Sequence, residues 1–237
     1  MGGAGQRRGA RLTAAAVRGR RRLRPVGILG GTFDPVHVGH LRAALEIREA
    51  LDLAQVRLLP ARVPPHRPQP VASAAQRLAM LRLAVRGVAG LTVDGRELDR
   101  AGPSYTVDTL TDLRAQLGRR PLCLLVGEDA FVALATWHRW QDLFELAHLV
   151  VMQRPPPVAA PSQALPPALA RAVAGRWADS AQALGALPAG LVWRQALPPL
   201  DISATRVRAA LRAGRSVRFL VTDGCLRYIR RHHLYTD

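Results

Sequence analysis

The segment from Val26 to His40, VGILGGTFDPVHVGH, limits what this chain can fold into more than any other. A short apolar run, Val26–Gly30, closes in paired glycines, and a turn through Pro35 follows. His37 and His40 then precede the amphipathic stretch Leu41–Leu51, so the segment reads as strand, loop and helix. A helix beginning near Val38 would direct free backbone N–H groups and the positive end of its dipole at whatever sits above the strand, a setting suited to an anion. Gly30 and Gly31 would let backbone approach that ligand, and the two imidazoles would add donors whose charge responds to a phosphate. A glycine pair after a strand is by itself an ordinary turn. Two histidines at this spacing also lack the further ligands of a zinc site.

The next apolar run, Val56–Leu59, ends at Pro60. Strand, helix and strand of these lengths form a βαβ unit, which calls for parallel strands and a right-handed crossover. In open α/β sheets the loops at the carboxyl ends of strands border the ligand crevice. The proline-stiffened loop Ala61–Pro70 is therefore expected on the same side as the His37 loop.

Ser73 and Gln76 form a capping box for a helix over Ala74–Arg86, with Leu78, Leu81 and Val85 facing the core. Leu91–Val93 is a third strand. A helix opening at Ser104–Leu110 turns Leu110, Leu113 and Leu117 inward, with Ser104 and Thr106 as candidate caps. Leu122–Val126 is apolar throughout, as a strand buried on both faces must be. Asp129 after it suits either a helix cap or a partner for a ribose hydroxyl or adenine amine. Trp137, placed at a helix start, suits stacking on a flat ring with nearby N–H groups for a carboxylate, whereas Trp140 suits the core. His148–Met152 and Leu191–Trp193 complete the strands, the last near the sheet edge. Ser203 caps a helix with Val207 and Leu211 inward, Gly214 ends it, and a final helix lies around Cys225–Arg231.

With 237 residues and a hydrophobic fraction of 49%, the chain can bury one sizeable α/β core. No run of about 18 apolar residues occurs, so no membrane span is expected. Cys123 and Cys225 alone argue for a reducing, cytoplasmic setting rather than a disulfide framework. The formal charge of +17 comes entirely from Arg, since the chain has no Lys, and residues 1–24 carry eight of those Arg with no acid. That stretch reads as a disordered basic arm whose composition also resembles an organellar transit peptide. The excess charge would steer anionic nucleotides inward. Without interleaved aromatics it does not by itself establish a nucleic-acid partner, and nucleic-acid binding through the basic arm stands as a lesser alternative.

Read as GGTFDPVHVGH, the opening string resembles the signature of the nucleotidyltransferase superfamily, whose H-x-G-H element handles the α-phosphate of a nucleoside triphosphate. VPPHRPQP, PSYT and TWH narrow the resemblance to the bacterial nicotinate-nucleotide adenylyltransferase family, from Val26 to Tyr235. The resemblance implies an α/β, Rossmann-like doubly wound parallel sheet over residues 25–237 with a small helical part from about 201. It also implies adenylyl transfer from ATP to nicotinate mononucleotide, giving deamido-NAD and pyrophosphate, with Mg²⁺ carried mainly by the ATP phosphates.

His37 and His40 become the catalytic pair. Gly30, Gly31, Thr32, Phe33, Gly127, Asp129, Ile202, Ser203, Thr205, Arg206 and Arg208 join them on the ATP side, the last five from ISATRVR, a match to the superfamily's β- and γ-phosphate element. Arg62, Val63, His66, Arg67, Thr106, Trp137, His138 and Arg154 fall on the mononucleotide side. Two departures stand out: relatives commonly have an Asn pair where this chain has Ala61-Arg62, and His138 takes the place of the second ring of an aromatic pair. A phosphopantetheine or nicotinamide mononucleotide enzyme would share the histidines. Class I tRNA synthetases pair them with a Lys-containing loop that a chain without Lys cannot form. Oligomeric state is left open.

Overall fold

The computed structural model describes residues 23–63, 69–153 and 164–236. Six strands form one parallel sheet: β1 (Val26–Gly31), β2 (Gln55–Pro60), β3 (Leu91–Val93), β4 (Leu122–Gly127), β5 (His148–Gln153) and β6 (Val192–Ala196). Their order across the sheet is β3-β2-β1-β4-β5-β6, with every pairing parallel. The order reverses direction between β1 and β4, which opens a crevice above the carboxyl ends of those two strands. This is the expected doubly wound sheet.

The strand period of two sends successive side chains to opposite faces. From β4, Leu122, Leu124 and Val126 enter one core, and Cys123 and Leu125 enter the other. The first core lies beneath α3 (Thr106–Leu117), α4 (Glu128–Val132), α5 (Leu143–Leu146) and α6 (Pro167–Val173). The second lies beneath α1 (Val38–Ala50), α2 (Ala74–Val85), α7 (Ala204–Arg212) and α8 (Asp223–Arg231). The C-terminal helices are thus part of one sheet face, since Val207, Ala210, Cys225, Leu226 and Ile229 share a core with Ile47 and Leu81. Both cysteines are free and buried, and burial pushes each thiol up to about 12.

The capping box at Ser73 forms in both directions: Gln76 N–H donates to Ser73 Oγ, and Ser73 N–H donates to Gln76 Oε1. The face that α2 buries differs from the expected Leu78, Leu81, Val85 stripe. It carries Arg77, Met80, Leu81 and Ala84, because the pocket beneath its first turn is lined by loop carbonyls that a guanidinium satisfies. Arg24, assigned to the arm from sequence, belongs to the folded unit. Its guanidinium pairs with Asp52 at 2.7 Å and donates to the Leu53 carbonyl, while its own carbonyl accepts from Arg120. Residues 1–22 lie outside the described residues. No helix among the described residues is long and apolar enough to cross a membrane.

Candidate functional site

β1 delivers the chain into the crevice at Gly31, where a Cβ would stand 3.1 Å from the Phe33 ring. Phe33 has φ 50°, a left-handed backbone that costs a bulky residue on the order of 1–3 kcal/mol. Its ring is buried and meets His40 edge-on at a centroid distance of 5.0 Å. Burying such a ring stabilises by roughly 1.5–3 kcal/mol, enough to offset the backbone cost. A cis peptide bond joins Asp34 to Pro35.

His37 is the N-cap of α1 in extended conformation. Its backbone N–H donates to Nδ1 of His40 at 3.3 Å, and the two imidazoles stack with centroids 3.7 Å apart and 24° between planes. A neutral ring that accepts at Nδ1 carries its proton on Nε2, so His40 offers an Nε2–H donor. A Cβ at Gly39 would stand 3.1 Å from His37 Nδ1 and 3.6 Å from Ile202 Cβ. The Ile202 distance is an ordinary contact, so it is the His37 ring that the glycine leaves room for. One expectation is corrected: the first amide of α1 is not open to a ligand, because Val38 N–H donates to the Leu220 carbonyl at 2.8 Å.

Asp34 is 4% exposed and accepts from Val71 N–H at 2.7 Å, Ala72 N–H at 3.1 Å and the Tyr235 hydroxyl at 2.7 Å. Burial, with the hydrogen bond to Asp34 and its negative charge, drives the Tyr235 phenol far above its ordinary value. The Asp34 backbone carbonyl accepts from Arg208 Nη1 at 2.7 Å. That bond joins the ISATRVR turn to the GTFDP loop. Ser203 caps α7 by accepting from Arg206 N–H, and Thr205 Oγ1 accepts from Arg208 Nη2. Of the two arginines in the string, Arg208 packs against the loop, whereas exposed Arg206 pairs with Asp201.

The second loop meets a different set of residues. Arg62 N–H donates to Ser104 Oγ at 2.9 Å, Ser104 N–H donates to the Val63 carbonyl, and the Arg62 guanidinium donates to the Arg100 carbonyl at 2.8 Å. Ser104 therefore receives the loop rather than capping α3, whose N-cap is Tyr105. Thr106 is the first residue of that helix. The Tyr105 ring lies 4.4 Å from the His138 ring, which brings PSYT and TWH together.

Trp137 does not start a helix, contrary to expectation. It ends the 3₁₀ turn Leu134–Thr136, donates its N–H to the Leu134 carbonyl and packs half-buried against the α3 side of the core. Gly127 is the N-cap of α4, so Asp129 is inside the helix and exposed rather than capping it. His66, Arg67 and Arg154 lie outside the described residues.

Two participants escape a reading of the sequence. Arg77 is 1% exposed and donates to the carbonyls of Thr32, Arg62 and Ala72 at 2.7, 3.2 and 3.3 Å. Burial lowers its pKa, and the charge of Asp34 opposes that shift. Tyr235 reaches Asp34 across 201 positions. The available signal for Arg77 was its place one turn into a capped helix; Tyr235 had none.

A family model described as Cytidylyltransferase-like matches residues 28–210. The probable nicotinate-nucleotide adenylyltransferase of Halorhodospira halophila is 52% identical over 204 residues, covering 86% of this chain and 92% of that one. Its namesake in Pseudomonas aeruginosa is 52% identical over 214 residues, covering 89% and 96%. That of Methylococcus capsulatus is 49% identical over 211 residues, covering 89% and 99%. Among solved structures, Plasmodium falciparum nicotinic acid mononucleotide adenylyltransferase complexed with NaAD aligns with a TM-score of 0.66 at 14% identity, covering 90% of this chain and 97% of that one, a likeness of fold. Through this family match and these relatives, the chain belongs to the cytidylyltransferase-like family and, within it, to the nicotinate-nucleotide adenylyltransferases.

Proposed function

We propose that the protein transfers the adenylyl group of ATP to nicotinate mononucleotide, forming deamido-NAD and pyrophosphate. The observation that carries the reading is the convergence of the His37–His40 pair and the Arg208 turn on one loop at the carboxyl end of β1. A phosphate oxygen of the mononucleotide attacks the α-phosphorus in line as the bond from that phosphorus to the β-phosphate bridging oxygen breaks, and pyrophosphate departs. No protein nucleophile is needed, and catalysis is positioning plus charge stabilisation. His40, with Nε2–H as donor, and His37 hold the α-phosphate. Ser203, Thr205 and Arg208 hold the departing pyrophosphate.

The loop is unsuited to a resident metal. Its carboxylate, Asp34, is buried and already accepts three hydrogen bonds. Among the described residues no group of three or more His, Cys, Asp or Glu could hold an ion. In this reading Mg²⁺ enters as part of the substrate, as the complex of ATP. On the acceptor side, Arg62, Val63, Thr106 and His138 bound the mononucleotide. The test supplies MgATP with nicotinate mononucleotide, nicotinamide mononucleotide or phosphopantetheine in separate reactions and follows pyrophosphate. Fastest release is expected with the first, and a faster reaction with either of the others overturns the assignment.

A further inference from the structure

Arg77 spends one planar group on three segments of chain: Thr32 in the loop after β1, Arg62 in the loop after β2, and Ala72 just before α2. The first two loops run side by side, since Ala61 N–H donates to the Gly31 carbonyl at 3.0 Å. Asp34 grips the third segment through Val71 and Ala72. A buried charge is costly, and an apolar side chain of similar volume would fill the same space with less desolvation. What an apolar group cannot do is bond both loops at once. Lysine, a point charge on a flexible stem, lacks the planar fork that satisfies three divergent carbonyls.

We infer that Arg77 is a positioning residue that ties the nucleotide-side loop to the mononucleotide-side loop, so that filling one organises the other. The inference rests on the assignment of these loops to the two substrates given above. The guanidinium keeps its charge, and its donors hold Thr32 and Arg62 in a fixed relation. Binding at the first loop then restricts the second through the protein itself, before any mononucleotide is present.

The experiment uses the full chain, α,β-methylene-ATP and nicotinate mononucleotide, with Arg77→Met and Arg77→Lys beside the wild type. Hydrogen exchange at Ala61–Val63 is measured with and without the analogue. Slowing is expected in the wild type, none in Arg77→Met although the analogue still binds, and partial slowing in Arg77→Lys. In parallel, the analogue should tighten mononucleotide binding roughly fivefold or more in the wild type, and the ratio should fall towards one in Arg77→Met. A wild type without either effect, or an Arg77→Met protein that keeps both while losing only thermal stability, overturns the inference. Should the methionine variant fail to fold, Arg77→Lys decides, and full coupling in it is equally fatal. The exchange measurement needs no mononucleotide, so a wrong acceptor assignment would show in the pyrophosphate assay and leave this result standing.

Discussion

His40 presents its Nε2 edge because its Nδ1 is taken by the His37 amide, and this asymmetry defines what each histidine variant should do. His40→Ala removes the donor and leaves the rest of α1 in place. Turnover is expected to fall by about 10²–10³, with an unchanged far-ultraviolet dichroism spectrum; near wild-type turnover would remove His40 from the mechanism. Tyr235→Phe deletes a hydroxyl that donates to a buried carboxylate. It should destabilise by about 1.5–3 kcal/mol in urea unfolding, and no change would mean that Asp34 finds another donor. For Arg62→Ala, the ratio of kcat/KM for nicotinate over nicotinamide mononucleotide should collapse if the guanidinium leaves Arg100 for the substrate, and an unchanged ratio dismisses that contact. At this scale the contiguous motifs were legible because each carries its chemistry within a few residues of chain. Arg77 was hidden by the opposite circumstance. Its three acceptors are backbone carbonyls, which every residue possesses, so no side chain elsewhere in the sequence announces the need for a buried guanidinium.

Helix α1 shows how a whole element serves the site. Gly39 separates the histidines, and the close approach of the His37 ring leaves a methyl group little room. Gly39→Ala should therefore lower kcat/KM for ATP more than it lowers the midpoint of thermal unfolding, and the reverse order would make the glycine merely structural. His148 begins β5, fully buried, with Nε2 donating to the Leu187 carbonyl and Nδ1 accepting from Leu191 N–H. Burial holds its pKa below the ordinary value, and the nearby charge of Arg114 acts the same way. A depressed folded value means that the unfolded chain takes up protons first. The stabilisation is complete above about pH 6.5 and is lost as pH falls through the lowered folded value. His148→Gln should be less stable than wild type at pH 8 but lose less between pH 7 and pH 5 in denaturant titrations. Elements were read well where period and cap agreed, as in β4 and at Ser73. They were misread where a tight turn replaced a helix: TWHRW carries helix-compatible residues, yet Arg139 takes φ 49° between two 3₁₀ turns, and local composition does not specify that reversal.

For the whole molecule, parallel pairing of the first strands followed from the βαβ spacing, but the order across the sheet did not. That order depends on which apolar runs share a face, and it moves β4 beside β1 so that Gly31 and Gly127 end at the same crevice. The formal charge of +17 favours the approach of anionic nucleotides from a distance. KM for ATP should accordingly rise with added salt as the screening length shortens. Deleting residues 1–22 should leave kcat unchanged and preserve most of that salt dependence, and loss of either would give the basic arm a part in the reaction. The bond from Tyr235 to Asp34 also bears on the order in which the protein acquires its activity. Synthesis produces the glycine loop, both histidines and the ISATRVR turn well before residue 235 clears the ribosome. A nascent chain can thus hold every motif of the family while Asp34, already bonded by Val71 and Ala72, still lacks the Tyr235 hydroxyl. The loop should therefore reach its final hydrogen bonding only once residue 235 has emerged, late in synthesis.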